Sequence, residues 1–258
     1  MTTDYDPELY HLLHRGNPGD ADWYQRRCLG SQRILELGCG DGRVLLGLAQ
    51  AGVEVVGIDS SQSMLARCAE RFHRAGQRAE LICGDMAVFA LPWRFDRIII
   101  PFNSLYCLTT DGEQLACLRS ARAHLAPGGQ LLLDVYAADP VAANEHEPVG
   151  VEEHLIAQFH DGQRHIEVYE NSTEDLAAQQ IDATYSYHST WDDGRHHIEQ
   201  WSILQRYLFP TQLIALLGRA DLALEGFYGD FSEGPFTDSS MHMVVVASRA
   251  DGDEGWHA

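Results

Sequence analysis

Apolar residues in this chain cluster into short runs, and longer stretches with helical spacing lie between them. The runs predict strands at 33–37, 53–58, 79–83, 95–100 and 129–136, and the stretches predict helices at 42–51, 61–75 and 111–126. Runs such as Arg33-Ile34-Leu35 and Val53-Glu54-Val55-Val56-Gly57-Ile58 are nearly unbroken, as expected for strands covered on both faces. Short strands alternating with helices of 10–15 residues predict a Rossmann-like, doubly wound α/β sheet. Ahead of the first strand, residues 5–29 carry helical spacing. Tyr5, Leu9, Leu12 and Leu13 share one side, and Trp23 and Tyr24 lie beyond an Asn17-Pro18-Gly19-Asp20 turn.

After Tyr136 the period changes. Residues 151–160, 163–171, 179–190 and 195–206 alternate polar and apolar and are rich in Val, Ile, Tyr and Thr, which predicts four antiparallel strands. His160-Asp161-Gly162-Gln163 and Asp192-Asp193-Gly194-Arg195 carry the Asp-Gly signature of tight hairpins. A last helix at 210–220 and strands at 222–230 and 240–248 complete a seven-stranded sheet. The expected organisation is an N-terminal helical lid at 1–30, a main domain at 31–139 and 207–250, an inserted antiparallel β subdomain at 140–206, and a tail at 251–258. The insertion leaves the main sheet at a carboxyl end of a strand, where such sheets bind ligands, so it is expected to roof that cleft.

Charge narrows the partners. The chain has 18 basic and 38 acidic residues, a net charge of -20, and its basic residues are all arginine. So acidic a surface argues against nucleic acid and against anionic membranes as partners. Without lysine there is no Schiff-base chemistry, no phosphate-binding lysine of a P-loop, and no tyrosine–lysine pair of a short-chain dehydrogenase. No run approaches the ~18–20 apolar residues that span a bilayer. The six cysteines lie between Cys28 and Cys117 without a paired framework, which suggests reduced thiols and a cytoplasmic protein. A monomer or homodimer is expected.

The string Glu36-Leu37-Gly38-Cys39-Gly40-Asp41-Gly42-Arg43 turns the first strand into the first helix of the main domain, and Asp59 closes the second strand. Glycines at such a turn bring bare backbone close to a ligand. A carboxylate at the end of the second strand suits the hydroxyls of a ribose. Glu36 and Asp41 would repel a pyrophosphate and favour a cationic ligand. The string resembles motif I of the class I S-adenosylmethionine-dependent methyltransferases. The resemblance continues through Gly57-Ile58-Asp59-Ser60, Cys83-Gly84-Asp85-Met86, the Phe95–Leu105 stretch and Leu125-Ala126-Pro127-Gly128-Gly129. It implies S-adenosylmethionine as methyl donor and S-adenosylhomocysteine as product. It further implies that Glu36, Gly38 and Gly40 line the methionine half and that Asp59, with Ser60 beside it, holds the ribose. Met64 would pack on the adenine, Asp85 and Met86 would meet its edge, and Pro101 and Tyr24 would border the donor.

The order of elements, with a β insertion above the cleft, resembles that of small-molecule methyltransferases, including the amino-sugar N-methyltransferases. This implies methyl transfer to an amine or hydroxyl of a small metabolite; the alternative is a catalytically inactive regulatory protein that binds the donor. Pro101-Phe102-Asn103-Ser104 lacks the Pro-Pro of enzymes that methylate planar amides or base amines. Tyr106, His154 and Tyr228 are the candidate catalytic residues, and Tyr5, Tyr10, Tyr24 and Asp230 are also expected to face the pocket. Seven of the 13 histidines fall between His146 and His197, but His196-His197 would point to opposite faces of a strand, and no metal site is expected. The 140–206 insertion holds 13 acidic and 3 basic residues, which slightly favours an amine over a hydroxyl.

Overall fold

The computed structural model describes residues 5–138 and 153–250. In chain order the elements are α1 (Pro7–Leu13), α2 (Asp20–Cys28), β1 (Arg33–Leu37), α3 (Arg43–Gln50), β2 (Glu54–Asp59), α4 (Gln62–Arg74), β3 (Glu80–Cys83) and β4 (Phe95–Ile100). A 3-10 turn (Ser104–Cys107) leads to α5 (Asp111–His124), β5 (Leu125–Tyr136), β6 (His154–His160), β7 (Arg164–Asp175), β8 (Gln180–Trp191) and β9 (His196–Arg206). The chain then forms α6 (Pro210–Arg219), β10 (Leu222–Tyr228) and β11 (His242–Arg249).

The main sheet has seven strands in the order β10-β11-β5-β4-β1-β2-β3, and β6 to β9 form a separate four-stranded antiparallel sheet. Strands β1 to β5 are parallel, while β11 runs antiparallel to both β5 and β10. Two apolar layers bury the main sheet. Alternate residues of β1 divide between them, Ile34 facing α2, α3 and α4 while Leu35 and Leu37 face α5 and α6. Covering both faces is what makes these strands read as continuous apolar runs.

Local chemistry sets the helix ends. Ser61 caps α4 by accepting from the Met64 N–H at 3.2 Å, and Thr110 with Glu113 forms a capping box at α5. The helical stretch at 5–29 is interrupted by residues 14–19 and becomes two helices. Strand β5 starts earlier than its apolar pattern, directly from the end of α5. The β7–β8 ribbon is also longer, paired from Arg164↔Trp191 to Asp175↔Gln180, because its polar end, Ser172 to Asp175, continues the ladder. The expectations that fall within 139–152 and 251–258 lie outside the described residues. Among those described, no helix is long and apolar enough to cross a membrane.

Candidate active site

At the carboxyl end of β1 the chain reverses through three glycines with positive φ: Gly38 at 71°, Gly40 at 51° and Gly42 at 78°. A side chain fits badly at two of them. A Cβ on Gly38 would lie 2.8 Å from the Ser104 side chain, and one on Gly42 would lie 2.5 Å from Cys68 Sγ. At Gly40 nothing lies within 4 Å, so a Cβ there would enter open space. The Gly38 and Cys39 N–H groups both donate to the Ile58 carbonyl, tying the turn to β2.

Asp59, at the end of β2, holds this turn from the side. One of its oxygens accepts the Gly40 N–H at 2.7 Å and the other accepts the Ser61 N–H at 2.8 Å. Burial raises its carboxyl above the usual range, and the backbone donors oppose that shift. At the end of β3, Asp85 accepts from the Ala87 N–H at 2.8 Å. After β4 the chain passes through Phe102 (φ 52°) and Asn103 (φ 62°), two left-handed residues that are not glycine. Both are fixed from β5. The Phe102 N–H donates to Asp134 Oδ1 at 3.0 Å, and Asn103 Oδ1 accepts the Tyr136 N–H at 2.6 Å.

These strand ends share one cavity of about 570 Å³. Gly38, Gly40, Asp59, Ser60, Met64, Asp85 and Met86 line one part of it. Tyr5, Tyr10, His14, Asn17, Phe102, Tyr136 and, from the four-stranded sheet, Ala183, Tyr185, Ile203 and Gln205 line the remainder. Ala183 pairs with Ile203 across β8 and β9, so the alternation of these strands turns one face to the cavity. Metal chemistry finds no ligand set, since no three His, Cys, Asp or Glu side chains cluster suitably among the described residues.

Several sequence-derived candidates lie elsewhere. Tyr106 is buried, and its hydroxyl donates to the Tyr136 and Leu208 carbonyls, both at 3.1 Å, so it ties β5 to the segment before α6. His154 begins the edge strand β6 opposite Glu170, with an exposed side chain away from the cavity. Tyr228 ends β10 at the far edge of the main sheet, its hydroxyl accepting from Arg27 at 3.3 Å. Asp230 closes its own turn by accepting from the Ser232 and Gly234 N–H groups. Tyr24 is fully buried and donates to Asp134 Oδ1 at 2.7 Å. Pro101 is buried and off the cavity wall, where the next three residues take its place.

Two acids of the glycine string also differ from expectation. Glu36 is buried off the cavity wall, with Oε2 unpartnered, and burial pushes its carboxyl well above the usual range. Asp41 is not a free negative charge in the turn, because Arg71 (2.5 Å), His11 (3.0 Å) and Arg67 (3.8 Å) surround it. Sequence reasoning passed over His14, Asn17 and Asp134. Asp134 had a visible signal, a lone acid inside Leu131-Leu132-Leu133-Asp134-Val135, and His14 follows Tyr10 at the i+4 spacing of one helix face.

A family model described as a methyltransferase domain matches residues 34–129. The cypemycin N-terminal methyltransferase of a Streptomyces species is 29% identical over 86% of this chain and 85% of its own length. The dTDP-3-amino-3,6-dideoxy-alpha-D-glucopyranose N,N-dimethyltransferase of Streptomyces fradiae is 31% identical over 49% of this chain, which spans 51% of that relative. Among solved structures, the CcbJ methyltransferase of Streptomyces caelestis superposes with a TM-score of 0.74 at 27% identity, covering 92% of this chain and 91% of that one.

Proposed function

We propose that the chain is a class I S-adenosylmethionine-dependent methyltransferase in which one part of the cavity seats the donor and the remainder seats a small acceptor. In this reading a methyl group passes to an amine or hydroxyl of that acceptor. The observation that carries it is a single cavity joining the glycine turn and two acidic strand ends to a wall from α1 and the four-stranded sheet. Its volume, about 570 Å³, suits small molecules.

The residues present fit the donor. Open space above Gly40 and the close approach at Gly38 leave bare backbone for the methionine part. Asp59 keeps lone pairs for the ribose hydroxyls beyond its backbone partners, with Ser60 beside it. Met64, Asp85 and Met86 border the adenine, while Glu36, Pro101 and Tyr24 support the site from behind its wall. When bound, S-adenosylmethionine supplies a methyl group on a sulfonium, which a nucleophile can take by direct displacement. The chain's part is then to align the acceptor and exclude water, for which, among the described residues, 5–30 act as lid and 153–206 as roof. Both relatives named above carry nitrogen or an N-terminus in their names, which supports nitrogen as the acceptor atom.

Titrating S-adenosylhomocysteine into wild-type protein and Asp59→Ala by calorimetry tests the donor site. Losing hydrogen bonds to a charged acceptor is expected to weaken binding by about 10- to 100-fold. Equal affinity in the two proteins would sink the assignment. Mass spectrometry of acceptor panels of amines and phenols, read as S-adenosylhomocysteine formed, then tests turnover.

A further inference from the structure

The acceptor part of the cavity is a continuous wall of aromatic rings. Ring centroids lie 5.5 Å apart for Tyr5 and Tyr10, 4.1 Å for Tyr10 and His14, 5.3 Å for His14 and Tyr185, and 6.3 Å for His14 and Phe102. All five residues line the cavity. No arginine does so among the described residues, and the chain contains no lysine. Arg43 lies 5.5 Å from the Phe102 ring centroid, but both oxygens of Asp20 hold its guanidinium and it is off the cavity wall. Among the described residues, the acids on the wall are Asp59 and Asp85, at the strand ends.

We infer that this wall recognises the positive charge that a neutral amine nitrogen gains as it takes the methyl group, on an acceptor whose body carries no phosphate or carboxylate. The inference rests on the methyltransferase reading and narrows its acceptor. The wall itself is uncharged. Burial pushes the His14 imidazole down to about 4 and the Tyr5 and Tyr185 hydroxyls up to about 12, so at neutral pH none of the three carries charge. Faces of neutral aromatic rings attract cations, more strongly where water is excluded. The reaction moves charge the same way. As the acceptor amine forms its N–C bond, the C–S bond breaks, its electron pair stays on sulfur, and the positive charge passes to nitrogen. An acceptor bearing a diphosphate would instead lose its hydration against rings and two carboxylates, with no cation to compensate. This separates the chain from its Streptomyces fradiae relative, whose named acceptor is dTDP-linked.

The test uses full-length protein saturated with S-adenosylhomocysteine, whose own titration reports on the donor site separately. Phenyltrimethylammonium and thymidine diphosphate are titrated by calorimetry into wild type, Tyr185→Ala and Tyr185→Phe. The expected result is that the ammonium binds and thymidine diphosphate does not at tenfold higher concentration. Tyr185→Ala should raise the ammonium Kd about fivefold or more, and Tyr185→Phe, which keeps the ring, should stay within about twofold. Thymidine diphosphate binding as tightly as the ammonium, no ammonium binding, or equal ammonium affinity in wild type and Tyr185→Ala would overturn the inference. If Tyr185→Ala fails to take up S-adenosylhomocysteine, the wild-type comparison of the two probes decides alone.

Discussion

Replacing Asp134 with asparagine tests whether a buried carboxylate organises the base of the site. Asp134 is fully buried and gathers three partners: the Tyr24 hydroxyl at 2.7 Å, the Phe102 N–H at 3.0 Å and Asn17 Nδ2 at 3.3 Å. It thereby joins α2, the left-handed loop after β4 and the segment between α1 and α2. Burial pushes its carboxyl from 3.8 up to about 6, against the pull of Tyr24 and Phe102. For an acid whose pKa is higher in the folded state, the native protein holds the extra proton. Stability is therefore greatest below about 4 and declines as pH rises to about 6, above which this contribution is flat. A shift of roughly two units corresponds to about 3 kcal/mol over the full window, of which roughly half falls between pH 5 and pH 8. The amide of the Asp134→Asn variant would keep an oxygen for Tyr24 and Phe102 but could not titrate. Urea unfolding of wild type and Asp134→Asn at pH 5 and pH 8 gives the comparison, in which most other titrating groups cancel. Between pH 8 and pH 5 the wild type should gain about 1 kcal/mol relative to the variant. A stability difference that does not change with pH would refute the reasoning.

Two further substitutions separate structure from chemistry. Tyr106→Phe loses the one hydroxyl proton shared between two backbone carbonyls and should cost about 1–2 kcal/mol in urea unfolding, while turnover by folded enzyme stays within about twofold. A hundredfold loss of kcat would return Tyr106 to the chemistry. Arg43→Gln leaves Asp20, only 2% exposed, without its two-point partner, and should cost about 3 kcal/mol, a Tm drop of roughly 6–12 °C by calorimetric scan. An unchanged Tm would mean that the pair contributes little.

The parallel sheet and the glycine turn were legible in the sequence because each has a local cause. Unbroken apolar runs mark strands covered on both faces, and Gly38, Gly40 and Gly42 occupy backbone angles that other residues avoid. Asp59 and Asp85 were placed by their positions at strand ends, and both line the cavity. Direction along a turn was not legible. Tyr106 follows the Phe102-Asn103-Ser104 loop by two residues, yet its ring points into the core because the 3-10 turn rotates it away. Pairing between distant charges was equally hidden. Asp41 loses its free charge to arginines 26 and 30 positions later, which only the packing of α4 beside the turn brings near. The role of Tyr228 depended on strand order, which places β10 at the sheet's far edge.

Helix α1 lies between the two sheets. Its Leu9 is buried with Ile166, Val168, Tyr187 and Trp201 of the four-stranded sheet. On its other side Glu8 pairs with Arg67 at 3.3 Å and His11 with Asp41 at 3.0 Å, reaching α4 and the glycine turn. Its Tyr10 faces the cavity. One short helix thus touches both the glycine turn and the cavity wall, so a molecule that settled it from one side would prepare the other. Thermodynamic reciprocity then fixes a symmetry: whatever factor the first guest adds to the affinity of the second, the second must add to the first.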